Sequence, residues 1–472
     1  MADEKILKGT VVSSPAASEQ GIEEGDNKYD TKLRKRTFRK IDYWLVGFYS
    51  LVYIFRVIDS SNYANAAIIN LEAGTGIKKE LGFNASKWSW TQSIFSYSYL
   101  IFEPTNTILL KKIRPSRWMF VLIFTWGVCA CCEGAVNNFQ GMMCVRFAIG
   151  VAEAGFYPAV LYHMAFWYLP EEMPWRIALF YAVGQVAGAV SGLLAYGVSF
   201  LDGKGGLAGW RWLFILEGIP AILLSFVALF GLPDFPEEAR MLKEDERAYL
   251  VDHLSARKTI SGKEKLWNWA ALKDLIKQPT FYTFNLYWIC HGTGGLSVQY
   301  ALPTVIYQLG FTTTAVSQLM NIPPYVACFI FLNICGVLLH KKLIRPWTTA
   351  VGIQSTTIVC YIILSTVRSP VVKYLAIIVA TACAGSAYPV IWPERIRDLD
   401  NALAAGVGIG FTNAMAQFSG IAGPQIYSTD FGPTYRKSFL TCLALLCGAI
   451  AAILASWGLV VLKDRKKART ED

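Results

Sequence analysis

The sequence predicts an all-α membrane protein with twelve transmembrane helices, built as two six-helix pseudo-repeats. Three observations predict it. Of 472 residues, 54% are hydrophobic and 17% are charged, whereas a soluble chain carries about 25% charged residues. The apolar residues gather in twelve runs, each near the ~20 residues that cross a bilayer. A mixed basic and apolar segment also occurs twice, once in each half. This composition excludes a soluble enzyme, a disordered scaffold and a secreted disulfide module.

Residues 1–41 are polar, carry no apolar core of a signal peptide, and end in the basic cluster Lys32–Lys40. They are read as a disordered cytosolic tail. Apolar runs follow at 42–69, 88–110, 118–136, 139–168, 176–200 and 211–231, so 42–231 is the first six-helix half. Residues 232–279 hold nine acidic and nine basic side chains, the balance of a solvated amphipathic linker, with Trp267 and Trp269 at the membrane interface. Runs at 281–308, 313–340, 347–366, 371–393, 402–428 and 436–462 make the second half, 280–462, and 463–472 a short cytosolic tail. The net charge of +10 resides in short clusters between runs, where basic residues mark the cytosolic side. These are Lys32–Lys40, Lys111–Arg117, Lys341–Arg345, Arg395–Arg397 and Lys463–Arg469. Both termini are therefore expected in the cytosol, and no nucleic-acid partner is expected. The sequon Asn84-Ala-Ser86 falls in the first external loop.

Leu109-Leu110-Lys111-Lys112-Ile113-Arg114-Pro115 recurs as Leu338-Leu339-His340-Lys341-Lys342-Leu343-Ile344-Arg345-Pro346, the prolines 231 residues apart. Two parallel repeats imply a secondary transporter with its substrate near the midplane. Ionisable groups inside the spans point to the site, because each costs about 2.5–3.5 kcal/mol at the bilayer centre. On the first helix Arg56 and Asp59 lie about 60° apart and Arg56 and Ser60 about 40° apart. On the fourth, Arg146 and Glu153 share a face about 10 Å apart. Arginine offers an anion a bidentate fork, and a buried carboxylate can take up and release a proton. Static ion pairs holding helices together are the alternative. The offset of 231 maps Asp59, Arg146 and Glu153 onto uncharged Cys290, Ile377 and Ala384, confining this machinery to the first half. The seventh run supplies Asn285, His291, Gly292, Gly294, Gly295, Gln299 and Tyr300, the composition of a broken helix lining a cavity. His291 is read as a ligand or as a satisfied interior histidine. Asn413 and Gln417 of the eleventh helix and Tyr157, Tyr388 and Trp392 are further candidates, while Glu103 and Glu217 read as interhelical partners. The eleven cysteines pack as small hydrophobes, and four histidines without ligand spacing leave no metal or cofactor expected.

These residues resemble the major facilitator superfamily, and within it the fungal branch of the anion:cation symporter family, which includes allantoate, nicotinate, pantothenate and biotin permeases. The resemblance covers about 42–462. It rests on Glu103-Pro-Thr-Asn with Lys111-Lys-Ile-Arg-Pro-Ser-Arg-Trp118, and on Arg146 through Ala-Glu153-Ala-Gly-Phe-Tyr-Pro158. Gly209-Trp-Arg-Trp-Leu-Phe214 with Glu217-Gly218, Leu232-Pro-Asp-Phe-Pro236 and Pro323-Pro-Tyr325 complete it. It implies proton-driven import of a small organic anion by alternating access, with Asp59 and Glu153 as proton-coupling carboxylates. Arg146 and Arg56, with His291, Gln299, Asn413 and Tyr157, are the expected substrate-binding residues. One departure is visible: the family carries Asp-Arg in its first helix where this chain has Asp59-Ser60, and Arg56 lies one turn earlier. An uncoupled facilitator or an amino-acid or neutral-solute carrier of the same fold is the alternative reading, and a non-transporting nutrient receptor a remote one. The implied partners are a small carboxylate, protons and the lipid bilayer, for a monomer in the plasma membrane.

Overall fold

The computed structural model describes residues 31–110, 112–169, 172–261, 273, 275–397, 408 and 411–471. Residues 1–30 of the expected tail, Lys111, and Trp267 and Trp269 of the expected linker lie outside these. All regular elements among the described residues are helical. The first half comprises α1 (Thr31–Ala66), α2 (Ala85–Leu110), α3 (Pro115–Glu133), α4 (Phe139–Met164), α5 (Met173–Ser199) and α6 (Gly209–Gly231). The connection contributes α7 (Glu244–Ser261). The second half holds α8 (Pro279–His291), α9 (Leu302–Gln308), α10 (Thr314–His340), α11 (Pro346–Thr366), α12 (Pro370–Arg397), α13 (Phe418–Ile426) and α14 (Arg436–Glu471).

Among the described residues, nine helices are long and apolar enough to cross a membrane. Each of the other three expected spans departs for its own reason. The 26-residue α2 is made polar by serines, Gln92, Glu103 and Asn106. The seventh span is interrupted: α8 gives way to a π-helical turn at Gly292–Leu296 and a 3₁₀ turn at Ser297–Ala301 before α9. The eleventh runs partly through residues outside the described set. The repeated Arg-Pro acquires a structural meaning. Arg114 and Arg345 are extended and Pro115 and Pro346 open α3 and α11, the position where a missing N–H costs nothing.

Hydrogen bonds between the halves gather at the end of the bundle opposite the described termini. Ser89 Oγ donates to the Pro424 carbonyl (2.8 Å) and Ser93 Oγ to that of Ile421 (2.9 Å). Gln92 Nε2 reaches the Tyr300 carbonyl at 3.1 Å. Gly188 and Gly192 let α5 approach α10, since a Cβ there would lie 2.6 Å from the Tyr325 ring and 2.5 Å from the Gln318 carbonyl. Nearer the terminus end, Asn413 Nδ2 donates to Glu103 Oε1 at 3.5 Å.

The disordered tail expected over 1–41 is shortened by the structure, because Thr31–Ile41 is helix. Thr37, Phe38 and Ile41 are buried, and Phe38 meets the ring of His253 edge-on at 5.7 Å. Arg36 Nε and Lys40 Nζ clasp Glu246 of α7 at 2.5 and 2.7 Å. Burial pushes the Glu246 carboxyl up, but Lys40, the Lys243 backbone N–H and Arg36 outweigh it and hold it at about 2. Its folded pKa is thus depressed below the ordinary ~4.3. The stabilisation is present above that value and is lost as pH falls through it toward 2. Glu246→Gln should speed hydrogen exchange across 31–41 roughly tenfold at neutral pH, the worth of about one hydrogen bond to a charged group. Unchanged protection would remove the clasp from the account of this segment.

Candidate functional site

On α1, Arg56, Asp59, Asn62 and Asn65 follow at every third position, turning about 60° per step, so they climb from the middle of the bundle toward the end opposite the described termini. Each meets a different partner. Arg56 Nε donates to Glu153 Oε2 of α4 at 2.8 Å. Asn62 Nδ2 donates to Glu217 Oε1 of α6 at 2.5 Å. Asp59 is 1% exposed, and neither of its oxygens has a hydrogen-bond partner among the described residues. Arg146 pairs with Glu133, the last residue of α3, at 3.4 Å, and donates to the Thr91 carbonyl at 3.4 Å. Its guanidinium is held over the rings of Tyr63 (4.0 Å) and Phe95 (4.9 Å).

The result is a buried cluster of four carboxylates, Asp59, Glu133, Glu153 and Glu217, against two guanidiniums. One oxygen each of Glu133, Glu153 and Glu217 also lacks a hydrogen-bond partner among the described residues. Arg56 is its open edge, with a side chain 20% exposed against 5% for Arg146. Buried groups of like charge are stabilised when one of them is neutral, so such a cluster can bind and release protons. A partly exposed guanidinium at its edge can receive an anion.

The structure therefore joins Arg56, Asp59, Glu153 and Arg146, but with partners drawn from other helices. Glu133 is absent from the sequence reading, although an acid inside the apolar run 118–136 is the same signal that marked Glu153. Opposite this cluster stands an aromatic wall: Trp288 lies 4.6 Å from Tyr388 and 5.2 Å from Trp392 between ring centroids. Tyr388 lies within electrostatic reach of Tyr157, Tyr53, Tyr99 and Glu103 of the first half, and Glu103 accepts from Asn413. His291 is fully buried, its Nδ1 with Gln354 Oε1 at 2.9 Å and its Nε2 with the Ala384 carbonyl at 3.1 Å. Gln299 is half-buried in the 3₁₀ turn, next to the Tyr300 carbonyl that takes Gln92.

This architecture has relatives. The Major Facilitator Superfamily profile matches residues 51–424. The chain belongs to that superfamily. It is accordingly a membrane-embedded transporter of small molecules and not an enzyme. It is 27% identical over 455 residues to the MFS-type transporter cnsO of Penicillium expansum, covering 94% of this chain and 86% of that one. It is 26% identical over 434 residues to a putative tartrate transporter of Agrobacterium vitis, covering 91% and 94%. Two solved structures share the fold. A bacterial homolog of the human lysosomal transporter Spinster superposes with TM-score 0.70 at 14% identity, covering 92% of this chain and 98% of that one. A D-xylose-proton symporter superposes with TM-score 0.63 at 14% identity, covering 88% and 97%.

Proposed function

We propose that this transporter imports a small organic anion together with protons, by alternating access, as members of the anion:cation symporter family do. The observation that carries the reading is the buried cluster with one partly exposed arginine, Arg56, at its edge. Four carboxylates against two guanidiniums leave two excess negative charges in a low-dielectric interior. That arrangement is too costly to persist without bound protons. Asp59, with both oxygens unpartnered, and Glu153, whose second oxygen is free, are the proton sites. Arg56 meets the carboxylate of the substrate, with Tyr157, Asn413 and Gln299 closing around it. Arg146, sealed between Tyr63 and Phe95, and His291, held by Gln354 and Ala384, support the site from behind.

The similarity to a putative tartrate transporter favours a carboxylate, with nicotinate, pantothenate or an allantoate-like nitrogen source as the substrates to try first. The protein acts as a monomer in the plasma membrane with both termini cytosolic, so the gathered contacts between halves close its external end and the state described is open inward. Ser60, where the family carries arginine, favours a second reading, an uncoupled carrier of a neutral or zwitterionic solute.

Uptake into proteoliposomes separates them. Labelled nicotinate, pantothenate, biotin, allantoate, cysteine and a sugar are each offered with an inward proton gradient and again after a protonophore. Accumulation of one carboxylate that collapses with the gradient is expected. Uptake that only equilibrates, or a preference for the zwitterion, overturns the symport reading.

A further inference from the structure

Above the cluster the buried polar groups do not end. Asn62, which donates to Glu217, accepts through its Oδ1 from Asn65 Nδ2 at 2.9 Å. Asn65 Oδ1 in turn accepts from Asn321 Nδ2 at 3.2 Å, and the Asn65 carbonyl accepts from Gln318 Nε2 at 3.0 Å. Asn321 and Gln318 belong to α10 in the other half. Asn62, Asn65, Gln318 and Asn321 are all at most 2% exposed. A single run of hydrogen bonds therefore leads from a buried acid of the first half across the closed end of the bundle to the second half.

We propose that Asn62 and Asn65 are positioning residues that link the protonation of Glu217 to the closure of the external gate, with Asn321 and Gln318 as the receiving side. An ionised carboxylate is acceptor only, so it fixes the Asn62 amide with its nitrogen inward and its oxygen toward Asn65. That orientation presents Asn65 Oδ1 to the donor on α10. The first bond is charge-assisted and polarises those beyond it. A proton on Glu217 gives it a donor, releases the Asn62 amide to turn and removes the charge. The crossing bonds then weaken together, and the gate opens more readily.

The latch is also poised to open. The second oxygen of Glu217 and the side-chain oxygens of Asn321 and Gln318 have no hydrogen-bond partner among the described residues. Water entering an open gate would satisfy all three, which offsets the bonds broken. Glu217 is faced by Asp59 and Asn62 from α1, Glu133 from α3 and Arg146 from α4. Its proton is therefore shared with the occupancy of the cluster below, and the gate is informed of that occupancy.

This inference rests on the alternating-access reading, and its test reads the gate without transport. Spin labels are placed at Lys204→Cys and Thr434→Cys, in the external loops of the two halves. The full chain carries them with the exposed Cys132, Cys144 and Cys447 changed to serine, in proteoliposomes without substrate. Asn65→Leu, and independently Asn321→Ala, should each raise the ratio of long to short inter-label distances about fivefold, as expected for losing one net hydrogen bond. The parent chain should shift toward long distances between pH 7.5 and 5.5, and Glu217→Gln should hold one distribution at both. Unchanged distances in both asparagine variants, or a parental pH response in Glu217→Gln, overturns the relay. If gradient-driven uptake survives in that case, the relay falls alone. If the distances shift as expected but uptake ignores the gradient, proton-coupled import falls and the relay stands.

Discussion

Glu153→Gln should abolish gradient-driven accumulation while leaving counterflow exchange intact. Glutamine is nearly isosteric and keeps an acceptor oxygen for Arg56 Nε, now bonded to Glu153 at 2.8 Å, so the helix contact between α1 and α4 persists. The substitution removes a site that can change protonation as the cavity faces one side and then the other. One coupled proton under a gradient of one pH unit supports at most about tenfold accumulation, because each unit is worth about 1.4 kcal/mol. That ratio should fall to about one. Exchange of internal for external substrate requires only that the loaded carrier cross, and it proceeds with Glu153 permanently neutral. Asp59→Asn should behave alike. Accumulation undiminished in Glu153→Gln would make the Arg56–Glu153 pair a structural tie between helices and move proton coupling elsewhere.

The spans were legible wherever a helix carries apolar side chains around most of its circumference, outward as well as toward the core, and obscure where polar residues or a break interrupt that run. The polar α2 lines the contact between halves through Ser89, Gln92 and Ser93, and the glycines of 292–295 interrupt the seventh span with turns of other pitch. Within one helix, spacing put Arg56 with Asp59 and Arg146 with Glu153 on shared faces, and the four side chains lie in one buried cluster. Pairing is another matter, because it depends on the angle and offset at which two helices pack, which no periodicity within either helix records. Arg56 therefore meets Glu153, 97 positions away, and Arg146 meets Glu133 from a different helix.

The same limit explains Thr31–Ile41. Its basic residues read as a topology signal, yet Phe38, His253 and the acids at 245 and 246 make it a packed helix through contacts about 210 residues distant in sequence. This chain places its charges by such long-range contacts, so a residue list can be read from one sequence while the wiring cannot.

The Arg146–Glu133 pair gives the largest expected effect on stability. Glu133 is 0% exposed, and Arg146→Ala would leave its carboxylate buried with no counter-charge at bonding distance. Removing one partner of a buried pair costs about 3–5 kcal/mol, enough to lower the thermal midpoint of the purified protein in detergent by many degrees. Replacing both, Arg146→Met with Glu133→Leu, removes both charges from the interior. Most of the loss should return, because a buried ion pair exchanged for apolar groups is often neutral or stabilising. What stays forfeit is the guanidinium's contact with the Tyr63 and Phe95 rings, at 4.0 and 4.9 Å, worth about 0.5–2 kcal/mol. Folding and transport should then part company. The double variant should be stable yet fail to accumulate substrate, since Asp59, Glu153 and Glu217 lose the Arg146 guanidinium that faces them. A double variant that is both stable and fully active would make this pair scaffold, and confine coupling to Arg56, Asp59 and Glu153.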